Sequence, residues 1–205
     1  MKNSLSDPLG KLSSWTFTNT SAGALCNYTG VSCWNDRENR LSGLEFRDMK
    51  LVGHIPEALQ FCHSLQSVDL AGNQLTGSIP AQICSWCPYL VTIDLSDNQL
   101  TGPISADLVN CSYMNNLILS DNKLSGNIPY QFSAMQRLKK FAVANNDLSG
   151  TVPSSFDSIN STDFVGNNGL CGWPLGKCGG GFSRKDMRII IAAGVSGAVA
   201  SMLLV

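Results

Sequence analysis

The chain has 205 residues, 43% of them hydrophobic and 14% charged, well below the roughly 25% charged residues of an average soluble domain. Fourteen basic against fifteen acidic residues leave a formal net charge of −1, so the basic excess of a polyanion binder is missing and nucleic acid is not an expected partner. Leu (24), Gly (19) and Asn (17) are abundant instead, a mixture typical of punctuated, turn-rich chains that calls for a search for internal repeats.

In chain order, the opening MKNSLSDPLGKLSSW holds no apolar run of roughly 7 to 15 residues, and no signal peptide is read there. Four N-x-S/T sequons, at Asn19, Asn27, Asn110 and Asn160, fit an oxidising secretory setting and are the candidate glycosylation sites. Eight cysteines are too few for a disulfide-dominated scaffold of this length, so a hydrophobic core must supply most of the stability. From residue 40 a repeat begins. Gly53, Gly77, Gly102, Gly126 and Gly150 recur at spacings of 24, 25, 24 and 24 residues. Leu51, Leu75, Leu100, Leu124 and Leu148 stand two residues before them, and Ile55, Ile79, Ile104, Ile128 and Val152 two residues after. Proline follows in four copies, whereas the third has Ser105 and carries Pro103 instead, which predicts a different turn there. Upstream, Leu44 and Phe46, Val68 and Leu70, Ile93 and Leu95, Leu117 and Leu119, and Phe141 and Val143 alternate at period two, so each pair predicts a short strand with one face inward. The glycines read as turn punctuation.

The spellings VDLAGNQLTGSIP, IDLSDNQLTGPIS and LILSDNKLSGNIP resemble the plant-specific leucine-rich repeat. One such unit cannot bury its apolar side, but stacked units can, with strands about 4.8 Å apart. The expected fold class is an α/β repeat solenoid of five plant-type leucine-rich repeats over residues 40–156, with disulfide-bridged caps at both ends. Asn73, Asn98, Asn122 and Asn146 would satisfy backbone groups inside the bend after each strand, a scaffold role. At the front, DPLGKLSSW and CNYTGVSCW resemble the N-terminal cap of plant repeat receptors, which implies a cap over 1–39, incomplete at its start, with a Cys26–Cys33 bridge. At the back, FVGNNGLCGWPLGKC resembles their C-terminal cap, which implies a cap over 157–178 with a Cys171–Cys178 bridge.

Cys62, Cys87 and Cys111 each precede the first apolar position of the next repeat (Leu65, Leu90, Met114) by three residues and form a ladder on the convex side, where small buried hydrophobes are common. Cys84 is extra. Cys62 with Cys84 is the preferred bridge among three possible pairings, between which sequence cannot choose. Cys84-Ser-Trp-Cys87 spells C-x-x-C, yet no second such pair, histidine pair or thioredoxin-like context completes a metal or redox site. His54 and His63 stand apart from any nucleophile, the aspartates fall at repeat positions, and no glycine loop cradles a phosphate. No catalytic residue, cofactor, metal or small-molecule substrate is expected, and the chain does not read as an enzyme.

The exposed strand positions of such a solenoid line its concave face and are the candidate partner-binding surface: Glu45, Arg47, Asp69, Asp94, Asn116, Ile118, Lys140 and Ala142. Along them the character runs from acidic in the early repeats to apolar and basic in the late ones, a gradient that favours one docking orientation. Ile118 is expected near a partner contact. After Cys178, residues 179–188 form a polar, basic linker, and Ile189 to Val205 are 17 uncharged, largely apolar residues. A span needs about 20, so 189–205 reads as an incomplete transmembrane helix with the repeats outside.

Taken together, SSWTF, GVSCWNDRENR, LQFCHSL, LILSDNKLSGNIP, VANNDLSG, NNGLCGWPLGKCGG and IIIAAGVSGA resemble the ectodomain and start of the membrane helix of the BAK-interacting receptor-like pseudokinases, the BIR group. That resemblance implies a plasma-membrane glycoprotein whose ectodomain binds the ectodomains of somatic embryogenesis receptor kinase (SERK) co-receptors. By holding them it restrains immune and brassinosteroid receptor signalling. The family's cytoplasmic pseudokinase domain is not expected within these residues. Cys87 departs from the family, which usually has an apolar residue before Pro88. Two other classes stay open. A ligand-sensing or co-receptor ectodomain of the SERK type would carry a proline-rich hinge, and residues 179–188 contain no proline. A secreted inhibitor of pathogen enzymes, similar to polygalacturonase-inhibiting proteins, would have about ten repeats and no membrane segment.

Overall fold

The first residue of each inward pair lies in a short strand and the second just beyond its end, and the strands stack. The computed structural model of the chain describes residues 2–18, 21–35, 37–153, 156 and 163–178. Strands β1 (Leu5–Ser6) and β2 (Val31–Cys33) lie at the front. Behind them successive coils contribute an inner and an outer strand: β3 (Leu41–Glu45) with β4 (Val52–His54), β5 (Ser67–Asp69) with β6 (Gln74–Gly77), and β7 (Thr92–Asp94) with β8 (Gln99–Pro103). The series continues with β9 (Asn116–Ile118) and β10 (Lys123–Asn127), then β11 (Lys140–Ala142) and β12 (Asp147–Thr151), and β13 (Gly169–Cys171) closes the back. The inner sheet runs β11-β9-β7-β5-β3-β2 and the outer sheet β1-β4-β6-β8-β10-β12-β13. Pairing is parallel except where β2 and β1 add antiparallel edges at the front. Register holds Leu44, Val68, Ile93, Leu117 and Phe141 side by side, and all five are buried.

The outer sheet corrects the reading of the repeat glycines as turn punctuation. Gly77, Gly102 and Gly150 lie inside or at the end of outer strands with φ of 80°, 81° and 85°. A Cβ at Gly77 would come within 2.5 Å of the His54 ring of the preceding coil. A left-handed residue inside a strand bends it, which lets the L-x-G-x-I segment turn toward the convex side without leaving the ladder. That convex side holds short 3-10 turns, Glu57–Phe61, Ala106–Asn110 and Tyr130–Ala134, and one α turn, Ile83–Trp86, so its helical content is slighter than an α/β solenoid suggests. In the third copy Ser105 takes the proline's place and its hydroxyl accepts from Asp107 N at 3.1 Å, an N-cap that proline cannot supply.

Asparagines fasten the coils. Asn98 Oδ1 accepts from Leu75 N at 2.9 Å, while its Nδ2 donates to the carbonyls of Leu70, Leu95 and Ser96 at 2.9 to 3.2 Å. Asn73, Asn122 and Asn146 repeat the arrangement. Asn167 adds a further rung, accepting from Leu148 N at 3.0 Å and donating to Val143 O at 2.9 Å.

Aromatic rings seal the ends. At the front Trp15 stacks on Tyr28 with centroids 5.5 Å apart and sets its edge against Phe46 at 5.6 Å. Its Nε1 donates to Thr29 O at 3.0 Å, and a Cys26–Cys33 disulfide lies beside it in the chain. At the back Phe141 stacks on Phe156 at 5.1 Å and meets Phe164 at 6.0 Å, and Cys171 is bonded to Cys178.

The preferred Cys62–Cys84 bridge is not what forms. Cys84 is bonded to Cys111, and Cys62 and Cys87 are free thiols. Direction decides it: Cys84 Sγ lies 3.6 Å from Leu108 O, so its side chain reaches toward the following coil and away from Cys62. Cys87 reaches the other way, with Sγ 3.4 Å from Leu59 O. No helix among the described residues is long and apolar enough to cross a membrane, and the expected membrane segment 189–205 lies outside the described residues.

Replacing Asn98 by Ala strands one buried N–H and weakens the pairing of three carbonyls. It is expected to lower stability by about 2–4 kcal/mol, read as a fall in urea midpoint. Burial, aided by neighbouring Cys62, pushes the Cys87 thiol up to about 12 from an ordinary 9.0. Between those values the unfolded chain has lost the proton that the folded chain keeps, so the stability due to the neutral thiol is complete below pH 9 and is lost as pH rises toward 12. Urea titrations at about pH 8 and about pH 10.5 should show a smaller loss of stability in Cys87→Val than in the parent; equal losses would contradict the assignment.

Candidate protein-docking face

The inner sheet holds seven of the eight predicted surface residues and the turn after β3 holds Arg47, because side chains at period two that do not enter the core must point out of the concavity. Asp69, Asp94, Ile118 and Ala142 are direct neighbours across β5, β7, β9 and β11, and Asn116 pairs with Lys140. Glu45, Arg47 and Lys140 are exposed and Asn116 and Ile118 half-buried, while Asp94 (8% exposed) and Ala142 (3%) belong to the floor.

Asp69 and Asp94 do not form an open acidic patch. Arg47 Nε donates to Asp69 Oδ2 at 2.9 Å, and its Nη2 donates to Asp94 Oδ2. The acids are held from behind as well: Asp69 Oδ1 accepts from Ala71 N at 3.0 Å, and Asp94 Oδ1 accepts from Ser96 N at 3.0 Å and Ser96 Oγ at 2.6 Å. One guanidinium therefore spans three coils. The hydrogen bond to Asp94, with that to Asp69, raises the Arg47 pKa against the opposing pull of burial. The early coils keep a negative excess, with Arg47 the one cation beside Glu45, Asp69 and Asp94, while Lys139 and Lys140 are exposed at the late end.

The bridging role of Arg47 had a signal in the repeat. The residue after the second inward position is Ala71, Ser96, Ser120 and Ala144 in the other copies, and one long cation in a column of small side chains can reach its neighbours. The second signal missed was the rung at Asn167, which follows Asn146 by 21 residues instead of 24.

His63 Nδ1 lies 3.0 Å from Trp86 O, and among the described residues no group of three or more His, Cys, Asp or Glu is placed to hold a metal. A cleft of about 400 Å³ between the front cap and the first convex turn is walled by Trp15, Phe17, Tyr28, Phe61, Cys62 and His63. Of the sequons, Asn27 and Asn110 are exposed, and Asn19 and Asn160 lie outside the described residues.

Comparison with known proteins places this architecture. The leucine rich repeat N-terminal domain model matches residues 1–34, and the leucine rich repeat model matches 64–86, 89–111 and 114–135. The chain is 66% identical over 206 residues to the inactive receptor-like serine/threonine-protein kinase BIR2 of Arabidopsis thaliana, covering 100% of this chain and 34% of that protein. It is 63% identical over 202 residues to a probable inactive receptor kinase of the same plant, covering 98% of this chain and 33% of the other. The chain thus spans about a third of the length of these curated relatives. Among solved structures it is similar to the Arabidopsis BIR2 ectodomain, with 57% identity, a TM-score of 0.85 and coverage of 86% of this chain and 94% of that one. It is also similar to a chain of the Arabidopsis BIR3–SERK2 complex, with 59% identity, a TM-score of 0.83 and coverage of 87% and 95%. With such identity over nearly the whole of a solved BIR2 ectodomain, the chain belongs to the BIR group of plant leucine-rich repeat receptor-like proteins.

Proposed function

We propose that this chain is the extracellular docking module of a plasma-membrane receptor-like protein, that it binds SERK-type co-receptor ectodomains, and that by doing so it restrains immune and brassinosteroid receptor signalling. The observation that carries the reading is the likeness to a chain of the BIR3–SERK2 complex at 59% identity over 87% of this chain. The inner sheet supports it, since it offers a continuous surface of period-two side chains. In this reading residues 1–39 and 157–178 are the caps of five repeats over 40–156. Residues 179–188 are the linker to a membrane anchor at 189–205, and Asn19, Asn27, Asn110 and Asn160 are glycosylation sites. The module acts by occupancy and has no enzymatic role, so its strength is set by affinity and by the local concentration that a shared membrane provides.

On the concave face, Ile118 is the half-buried apolar side chain flanked by Asp94 on one strand and Ala142 on the other. The 205-residue chain, produced by secretion, should bind a purified SERK-type ectodomain saturably without added peptide or steroid. Ile118→Glu should weaken that binding at least about tenfold, or about 1.4 kcal/mol. Biolayer interferometry checks both. No binding by monodisperse, folded chain would instead favour a ligand-sensing ectodomain.

A further inference from the structure

The two cysteines of the C-x-x-C run leave one short α turn, Ile83–Trp86, in opposite directions. Cys84 reaches the following coil and is bonded to Cys111. Cys87 reaches the preceding coil, where its Sγ lies 3.4 Å from Leu59 O. That carbonyl belongs to the turn that leads into Cys62, and Cys62 N donates to it at 2.9 Å. The Cys87 thiol and the Cys62 backbone therefore converge on a single oxygen atom. These two cysteines are the free ones, Cys87 buried and Cys62 half-buried.

Register sets the two residues against each other. Strands β5 and β7 pair Ser67 with Thr92 and Val68 with Ile93, and Cys87 follows Cys62 by the same interval, just ahead of that pairing. The local backbone matches too: Leu65 N donates to Cys62 O at 3.1 Å, and Leu90 N to Cys87 O at 3.2 Å. Leu65 and Leu90 are both fully buried, so sliding one coil against the other would expose core side chains. Equivalent residues of paired strands stand about 4.8 Å apart, and a disulfide spans Cα atoms about 4.4 to 6.8 Å apart. Between the next two coils Cys84 and Cys111 are joined at a Cα separation of 4.9 Å. Cys62 is also near enough to add to the upward shift that burial gives the Cys87 thiol.

We propose that Cys62 and Cys87 are the site of a further intercoil disulfide, closed by a small-molecule disulfide such as glutathione disulfide in an oxidising secretory setting. Half-buried Cys62 reacts first: it gives its proton to solvent, its sulfur attacks glutathione disulfide, and one glutathione thiolate leaves. Cys87 then yields its proton, and its sulfur attacks Cys62 Sγ and releases the second glutathione. Two protein thiols and one glutathione disulfide thus become one protein bridge and two glutathione thiols. Two electrons pass to glutathione, and both protons end on it. Buried Cys87 is shielded from bulk oxidants, so it acts only on the sulfur delivered beside it. The new bridge and Cys84–Cys111 then meet at the Ile83–Trp86 turn and tie three successive coils together on the convex side, opposite the docking face. The pH dependence described for Cys87 belongs to the reduced pair and disappears once the bridge closes.

For the test, the secreted 205-residue chain is incubated folded with glutathione disulfide and then denatured with N-ethylmaleimide in the absence of reductant. Intact mass and non-reduced peptides are read by mass spectrometry. The expected result is no maleimide uptake and a peptide pair joined through Cys62 and Cys87, with Cys84–Cys111 retained. Cys87→Ala should instead leave Cys62 carrying a maleimide or a glutathione, and Cys62→Ala should leave Cys87 to take one maleimide on denaturation. Two maleimides on the folded parent would overturn the assignment. So would a lasting glutathione adduct at Cys62 with Cys87 still free, or a bridge from Cys62 to Cys84 or Cys111. The deciding result is read on the parent chain, so it does not depend on either variant folding.

Discussion

Burying a turn in the middle of a protein leaves carbonyl groups that neither strand nor solvent can pair, and the asparagine of each coil meets that demand. Asn98 donates to Leu95 O and Ser96 O of its own coil and to Leu70 O of the coil before, and accepts from Leu75 N of that earlier coil. Both ends of one amide are used, and each amide ties its coil to the preceding one. In a low-dielectric interior an unpaired group would be costly, so these bonds are constraints on register as much as sources of stability. The nearest-neighbour character of the solenoid follows. With Asn167 continuing the series, the amide ladder reaches the C-terminal strand, and Phe156 and Phe164 close the apolar face behind it.

The same turn shapes the charge distribution. Beyond each inner strand stands a residue in the left-handed region: Asp48, Gly72, Asp97, Asp121 and Asn145, with φ from 53° to 66°. Aspartate, asparagine and glycine tolerate that conformation better than other residues. The acids at these positions therefore meet a backbone requirement, independently of any partner.

Much of this was legible in the sequence because a repeated pattern checks itself. Five aligned pairs such as Leu44 with Phe46 fix both the strands and their inward face, and four aligned asparagines fix the rungs. What escaped had a local physical reason. The outer strands were hidden because a glycine at every third position of L-x-G looks like a stop signal, and only its neighbours in the adjacent coils show that pairing continues through it. Asn167 was hidden by a coil three residues short. The partner of Cys84 depended on which way a side chain leaves a short α turn, and spacing carries no information on that. Arg47 reaches an acid 47 positions away; the concave list contained both residues without joining them.

Joining them changes where a partner can gain most. Asp69 and Asp94 are already hydrogen-bonded to Arg47 and to backbone amides, so a partner covering the early coils must either leave that cluster intact or break it and desolvate the pieces. Stripping water from a satisfied ion pair returns little and removing one member returns less. In the late coils the situation is reversed. Ile118 is half-buried beside the small floor residue Ala142, and Lys139 and Lys140 are exposed, so both apolar burial and new charge pairing remain open to a complex. The clamp thus fixes the charged groups at the front of the concave face among themselves, and the exposed cations and the half-buried apolar side chain lie toward its back.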